Sequence, residues 1–259
     1  MARRRRRNRL LWFPQEHGAW AWLLVPIAAG AMLAGPAWFQ IPLLVCALSG
    51  YCAFNAASWW VKMPPSRRSA ALPPVCVYGS VAALSGGLVI GLTGPGVIPW
   101  FVLQGLALAA AWLLTRRRAG RSLASGLSTA LAATVLLLIA AHPDALARLP
   151  VDLVWPTAFI YGYLGGTVFA VKSAIRERGS VAWLVASIGW HGAWTVVAIA
   201  AQSPAWIVLW AALTVRALLL PLAAWRRALR PGVLGIVEIV AACAVLAVVA
   251  WGSGLGQLG

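Results

Sequence analysis

RRRRRNRLLWFPQEHGAWAWLLVPIAAGAMLAG, residues 3–35, decides the fold. Five consecutive arginines, Arg3–Arg7, and then Arg9 run straight into an apolar stretch of roughly membrane-spanning length. Alone, a polybasic tail would suit nucleic acid or acidic lipid. Here the same alternation of basic cluster and apolar run recurs along the whole chain. Bilayers sort charge in this way, with Lys and Arg kept on the cytoplasmic side. The tail therefore reads first as a topology signal.

Composition agrees. Of 259 residues, 62% are hydrophobic and only 10% are charged, with a mean hydropathy of +0.84. Soluble domains carry roughly a quarter charged residues, so no water-soluble surface can be built from this chain. Sixteen Trp suit a membrane–water interface. Cys46, Cys52, Cys76 and Cys243 lie in or at the edge of apolar runs, without CxxC or Cys/His spacing, and read as small buried hydrophobes. The pattern predicts no metal site and no cofactor. A cleaved signal peptide is set aside, because several runs of similar length follow the first and no soluble domain remains to be exported.

The expected fold is all-α: a polytopic transmembrane bundle of about nine helices. Each helix approaches the roughly 20 residues that a bilayer core requires. They are expected near 18–35, 40–62, 73–93, 97–115, 123–141, 155–172, 180–202, 204–225 and 232–254. Pro and Gly mark the joins, as at Gly35-Pro36, Pro64-Pro65, Gly94-Pro95, Ser203-Pro204 and Pro231-Gly232. Short joins make neighbouring helices antiparallel. Residues 1–12 form a basic cytoplasmic tail, and 13–259 a single transmembrane helical domain.

The charges test the count. Nineteen of the 21 Lys and Arg fall in the tail and in the connections after the second, fourth, sixth and eighth helices. The opposite side carries only Arg148, beside Asp144 and Asp152, while Arg216 lies inside a helix. Dropping or merging one helix would scatter the basic loops over both sides. The expected location is the bacterial inner membrane, multi-pass, with the N-terminus cytoplasmic and the C-terminus outside. The expected partners are the bilayer itself and anionic lipids, with no nucleic acid, since the tail has no aromatic interleaving and no folded basic module. Protein partners are unknown.

Ionisable residues inside a span are costly, so each is a functional candidate by default. By helical rise, Arg216 and Glu238 lie roughly 14 Å and 9 Å from the same face, and adjacent antiparallel helices bring them within reach of an intramembrane ion pair. Such a pair either staples two helices or handles a substrate or proton. His191 lies near the middle of the seventh helix, within Trp190-His191-Gly192-Ala193-Trp194, as a packing residue or a ligand. His-Gly-Ala-Trp occurs at 17–20 and again at 191–194, a weak sign of duplication. Asn55 sits about seven residues inside the basic end of the second helix and suits an interhelical hydrogen bond. Lys172 and Arg176, four apart, share a helical face and present two cations at the cytoplasmic mouth of the sixth helix. His17, Asn55, Lys172 and Arg176 are expected to converge on one cytoplasm-facing pocket for an anionic head group, with His17 as a proton donor.

Two strings carry a family resemblance. Pro14-Gln15-Glu16-His17-Gly18-Ala19-Trp20 and the stretch from Thr167-Val168-Phe169 through Lys172-Ser173 to Ile175-Arg176-Glu177-Arg178 resemble the YwiC-like family of bacterial membrane proteins. That resemblance implies a multi-span inner-membrane protein and no particular reaction. More distantly, nine helices with polar strings at the cytoplasmic ends of the second and sixth resemble UbiA-type intramembrane prenyltransferases. The aspartate motifs of that type are absent: Asn55 is followed by Trp59 and Met63. Five acidic residues cannot hold two Mg²⁺ on a diphosphate, though cations can hold a lipid phosphate or prenyl-phosphate directly. Three classes of function stay open: a degenerate UbiA-like lipid-phosphate binder, a small-molecule transporter, and an accessory subunit of a membrane complex. Whether the chain is catalytic is likewise open.

Overall fold

The computed structural model is all-α and describes residues 10–14, 17–226 and 231–253, apart from the side chains of 17–19, 231 and 253. The arginine tail, Glu16, the side chain of His17, Arg227 and Arg230 therefore lie outside the described residues. Among the described residues nine long apolar helices follow one another: α1 (His17–Ala34), α2 (Gln40–Lys62), α3 (Leu72–Thr93), α4 (Ile98–Arg116), α5 (Leu123–Ala141), α6 (Val151–Val171), α7 (Val181–Ala200), α8 (Pro204–Arg226) and α9 (Pro231–Ser253). Eight are long and apolar enough to cross a membrane, and the described apolar part of α1, Trp20–Ala34, is shorter. The chain is a multi-span membrane protein.

The boundaries follow local chemistry. Ser122 and Ser180 cap α5 and α7, their side chains accepting from the backbone N–H of Ser125 and Trp183. Gly94 ends α3 at φ +85°, a left-handed position that costs glycine nothing. Two proline-led 3₁₀ turns, Pro65–Ala71 and Pro95–Val97, lead into α3 and α4. The largest departure from expectation is α6. It begins at Val151, four residues early, with Pro150 at its N-cap. Past Val171 it widens into a π-helical turn over Lys172–Arg176.

Chain contacts divide the molecule into two compact units, residues 1–149 and 150–259. In the first, α5 is the most buried helix, with nearly every residue from Ala130 to Ala140 inside. It packs against α1 and α4, while α2 pairs with α3. Gly30 of α1 lies against α5 so closely that a Cβ would stand 2.6 Å from the Ala140 methyl. Close approach at a small residue is how spanning helices gain contact without a hydrophobic driving force. Ile27, Leu43, Val89, Val135 and Ile139 form its core. At one end Gln40, only 9% exposed, donates from Nε2 to the carbonyls of Gly35 and Ala140 and accepts from the N–H of Ala37. At the same end Trp100 Nε1 donates to the His142 carbonyl at 2.9 Å. The other end carries Lys62, Arg67, Arg68 and Arg116–Arg118.

In the second unit α6 is the central helix, with eleven of its last thirteen residues buried, and α7, α8 and α9 pack against it. The basic end of this unit is tied together by Arg178, whose Nη2 donates to the Trp225 carbonyl at 3.2 Å.

Candidate functional site

The site begins with two glycines. Gly162 and Gly166 are four residues apart on α6 and share a face. On α7, His191 and Trp194 are three apart and face them. A Cβ at Gly166 would lie 2.7 Å from His191 Nε2, and one at Gly162 would lie 2.5 Å from the Trp194 ring. The two helices therefore meet backbone against ring. Trp190 Nε1 donates to the Gly162 carbonyl at 2.9 Å and fixes the register.

His191 is 1% exposed. Its Nδ1 lies 2.7 Å from the Ser187 carbonyl, and since a carbonyl only accepts, Nδ1 carries the proton. The Ser187 hydroxyl makes no hydrogen bond among the described residues. Histidine thus bonds to the backbone of Ser187 and not to its hydroxyl, so no serine nucleophile is activated here. Beyond His191 runs an aromatic wall: Trp194 stacks on Trp210 at 5.6 Å, and Phe159 stacks on Trp206 at 4.6 Å.

In the same unit Arg216 of α8 and Glu238 of α9 come together. Arg216 Nη1 donates to Glu238 Oε1 at 2.6 Å, with the side chains 13% and 11% exposed. The carbonyl of Glu238 accepts from Tyr163 Oη at 3.2 Å. The pair is only half satisfied. Arg216 Nε and Nη2 and Glu238 Oε2 are buried and have no hydrogen-bond partner among the described residues. Nε and Nη2 form one edge of the guanidinium fork, the edge that grips a carboxylate or phosphate with two parallel bonds. Counting from Arg226, Pro231 and Val181, the depths of Arg216, Glu238 and His191 are about 15, 10 and 15 Å below the basic end.

Of the four residues expected to form a pocket, Asn55, Lys172 and Arg176 have described side chains. Asn55 Nδ2 donates to the Leu10 carbonyl at 3.2 Å, and Tyr78 Oη donates to the Trp12 carbonyl at 3.0 Å. Asn55 therefore holds the segment before α1 against α2. Lys172 is 6% exposed, with Nζ 4.3 Å from the Trp183 ring centroid. Arg176 is exposed, so the two cations do not present one face together. The Lys172–Arg176 turn packs against α7 and α8, and within it Lys172 is buried while Arg176 is exposed. Of His17 only the backbone, the first residue of α1, is described. His17 and Asn55 belong to the first unit, Lys172 and Arg176 to the second.

A separate groove opens at the basic end of α2. Its volume is about 210 Å³, and Leu10, Leu11, Trp59, Lys62, Met63 and Arg67 are among its walls. Sequence reading passed over it, and over Tyr163 and Ser187. The groove depends on Leu10 and Leu11 folding back onto α2, which no local pattern announces. Among the described residues no three His, Cys, Asp or Glu side chains gather as a metal site would require.

The family model described as YwiC-like protein matches residues 13–141. The match takes in α1–α5 and the Pro14–Trp20 string, and it ends before the second unit. Neither a curated protein nor a solved structure matches the chain.

Proposed function

We propose, for a multi-span membrane protein whose residues 13–141 belong to the YwiC-like family, that the second unit binds a small anionic solute at Arg216 and carries it across the bilayer. The observation behind this reading is the unfilled edge of the Arg216 fork beside the unfilled Oε2 of Glu238. Burying an ion pair is expensive and is offset only when the remaining donors and acceptors are met. A pair that merely stapled α8 to α9 would gain by closing its own hydrogen bonds. This one keeps two parallel donors free at a depth of about 10–15 Å, where a ligand oxygen would find little competition from bulk water. The chemistry selects a carboxylate or a phosphate oxyanion.

The test is ligand-dependent stabilisation of the purified protein in nanodiscs, with acetate and inorganic phosphate as separate probes. At least one probe should raise Tm in a saturable way. Arg216→Lys keeps the charge and loses the fork, and it should weaken that probe about tenfold, or about 1.4 kcal/mol. Equal response in wild type and Arg216→Lys, or no response to either probe, overturns the proposal.

The groove at α2 favours a second binding role on the basic side. Lys62 Nζ lies 6.0 Å from the Trp59 ring centroid, and Arg67 stands across an apolar wall. Cation, aromatic and aliphatic surface in one groove suit an anionic phospholipid or prenyl-phosphate head group. The doubly substituted Lys62→Gln/Arg67→Gln protein should lose co-purified phosphatidylglycerol. Undiminished retention counts against the groove.

A further inference from the structure

We propose that the Arg216 site takes up one proton with each monoanion, and that Glu238 is the group that receives it. This rests on the anion-binding reading above and goes on to the coupling ion. As the protein stands, Arg216 and Glu238 make a closed pair of net charge zero, joined through Nη1 and Oε1. A carboxylate seated on Nε and Nη2 brings a second negative charge to one guanidinium. In a site this poorly exposed, an uncompensated charge is far more costly than in water. The charge must be cancelled by a group already present.

The neighbours of Glu238 make it the candidate best placed beside the fork. From α8 the facing charged group is Arg216, the cation of the pair. From α6 it is Tyr163, whose hydroxyl already donates to the Glu238 backbone. On α9 itself the titratable neighbour is Cys243, exposed on the outside of the helix. His191 on α7 stands across the Trp210 ring, with one nitrogen committed to the Ser187 carbonyl. Among the described residues Glu238 Oε2 is the one titratable oxygen in the cluster that is buried and unpartnered. A proton placed there turns a lone acceptor into a donor, and that donor can bond the incoming anion beside the fork. The balance is simple: pair plus A⁻ plus H⁺ gives Arg216⁺, A⁻ and neutral Glu238, again of net charge zero. The proton comes from the aqueous phase that supplies the anion. Because filling one site requires the other, anion and proton move together.

The experiment is acetate binding to the full-length protein in nanodiscs, by calorimetry in two buffers of different ionisation enthalpy at pH 7. Wild type should take up about one proton per acetate bound. Glu238→Gln keeps an acceptor for Arg216 and cannot accept the proton, so it should bind acetate with uptake near zero. Acetate binding by wild type without proton uptake overturns the coupling and leaves the anion site standing. Uptake that persists in Glu238→Gln also overturns it, by assigning the proton elsewhere. If Glu238→Gln does not fold, wild-type stoichiometry tests the coupling and His191→Gln tests the assignment: uptake lost in His191→Gln overturns Glu238 as the acceptor, and uptake kept in it supports Glu238. No acetate binding by wild type removes the coupling, and with it the carboxylate form of the anion site.

Discussion

Gly162→Ala should destabilise the second unit out of proportion to the single methyl it adds. The new Cβ would stand 2.5 Å from Trp194 Cε2, 2.6 Å from Cδ2 and 2.9 Å from Nε1. Carbon atoms in contact prefer about 3.5–4.0 Å, so something must move by about an ångström. The ring is poorly placed to yield. It stacks on Trp210 at 5.6 Å and meets Phe159 edge-on at 6.0 Å, while Trp190 is tied by its indole N–H to the Gly162 carbonyl. Overpacking typically costs about 1–3 kcal/mol, and a wall of rings belongs near the top of that range. Alanine recovers about 1 kcal/mol over glycine in a helix interior. The expected net loss is about 2 kcal/mol, the difference of those two terms. Gly189 of α7 is the control, since a Cβ there meets nothing within 4 Å. Gly189→Ala should be neutral or stabilising by up to about 1 kcal/mol. The assay is unfolding of purified protein in detergent, followed by tryptophan fluorescence. If Gly162→Ala unfolds with wild type or with Gly189→Ala, the ring does not rest on the glycine and the α6–α7 packing described here is wrong.

Arg216→Gln or Glu238→Gln alone strands a buried charge and should cost about 3–5 kcal/mol, while the double substitution recovers most of it, as read from unfolding midpoints. Gln40→Ala removes three hydrogen bonds and leaves the Ala140 carbonyl without its side-chain donor, for a loss of about 1–3 kcal/mol in the same measurement. Lys172→Ala loses a buried cation–π contact and should cost about 1–2 kcal/mol, whereas exposed Arg176→Ala should stay within about 0.5 kcal/mol of wild type. Reporter fusions at residues 120 and 150 should report opposite sides of the membrane, with 120 cytoplasmic. Same-side signals would contradict the expected topology.

The helices were legible because bilayer length and turn chemistry are both written locally. Ser122, Ser180, Gly94 and Pro204 mark boundaries that the structure keeps within one or two residues. At α6 the expected start, residue 155, fell four residues inside the helix, which begins at Val151 after Pro150. The π turn at Lys172–Arg176 was not legible, since spacing of four looks the same in either helix type until tertiary contacts choose. Arg216 and Glu238 could be counted to similar depths on neighbouring helices from the sequence alone. Their unfilled atoms could not, because satisfaction depends on what α6 and α7 bring near them. Asn55 shows the reverse failure. Its type and depth suited a ligand site, but the nearest carbonyl belongs to Leu10, 45 positions away in sequence. The division at residues 149 and 150 left no mark in composition, because both units are equally apolar.

The central claim is that the free edge of Arg216 is a ligand site. A cryo-electron microscopy map of the protein in nanodiscs containing the better-bound of acetate and phosphate tests it directly. The predicted result is density bridging Arg216 Nε and Nη2 at about 2.7–2.9 Å, the range of charge-assisted bonds, and lost in Arg216→Lys. Ordered water alone on both nitrogens at saturating probe, or a protein group closing the fork, would contradict it.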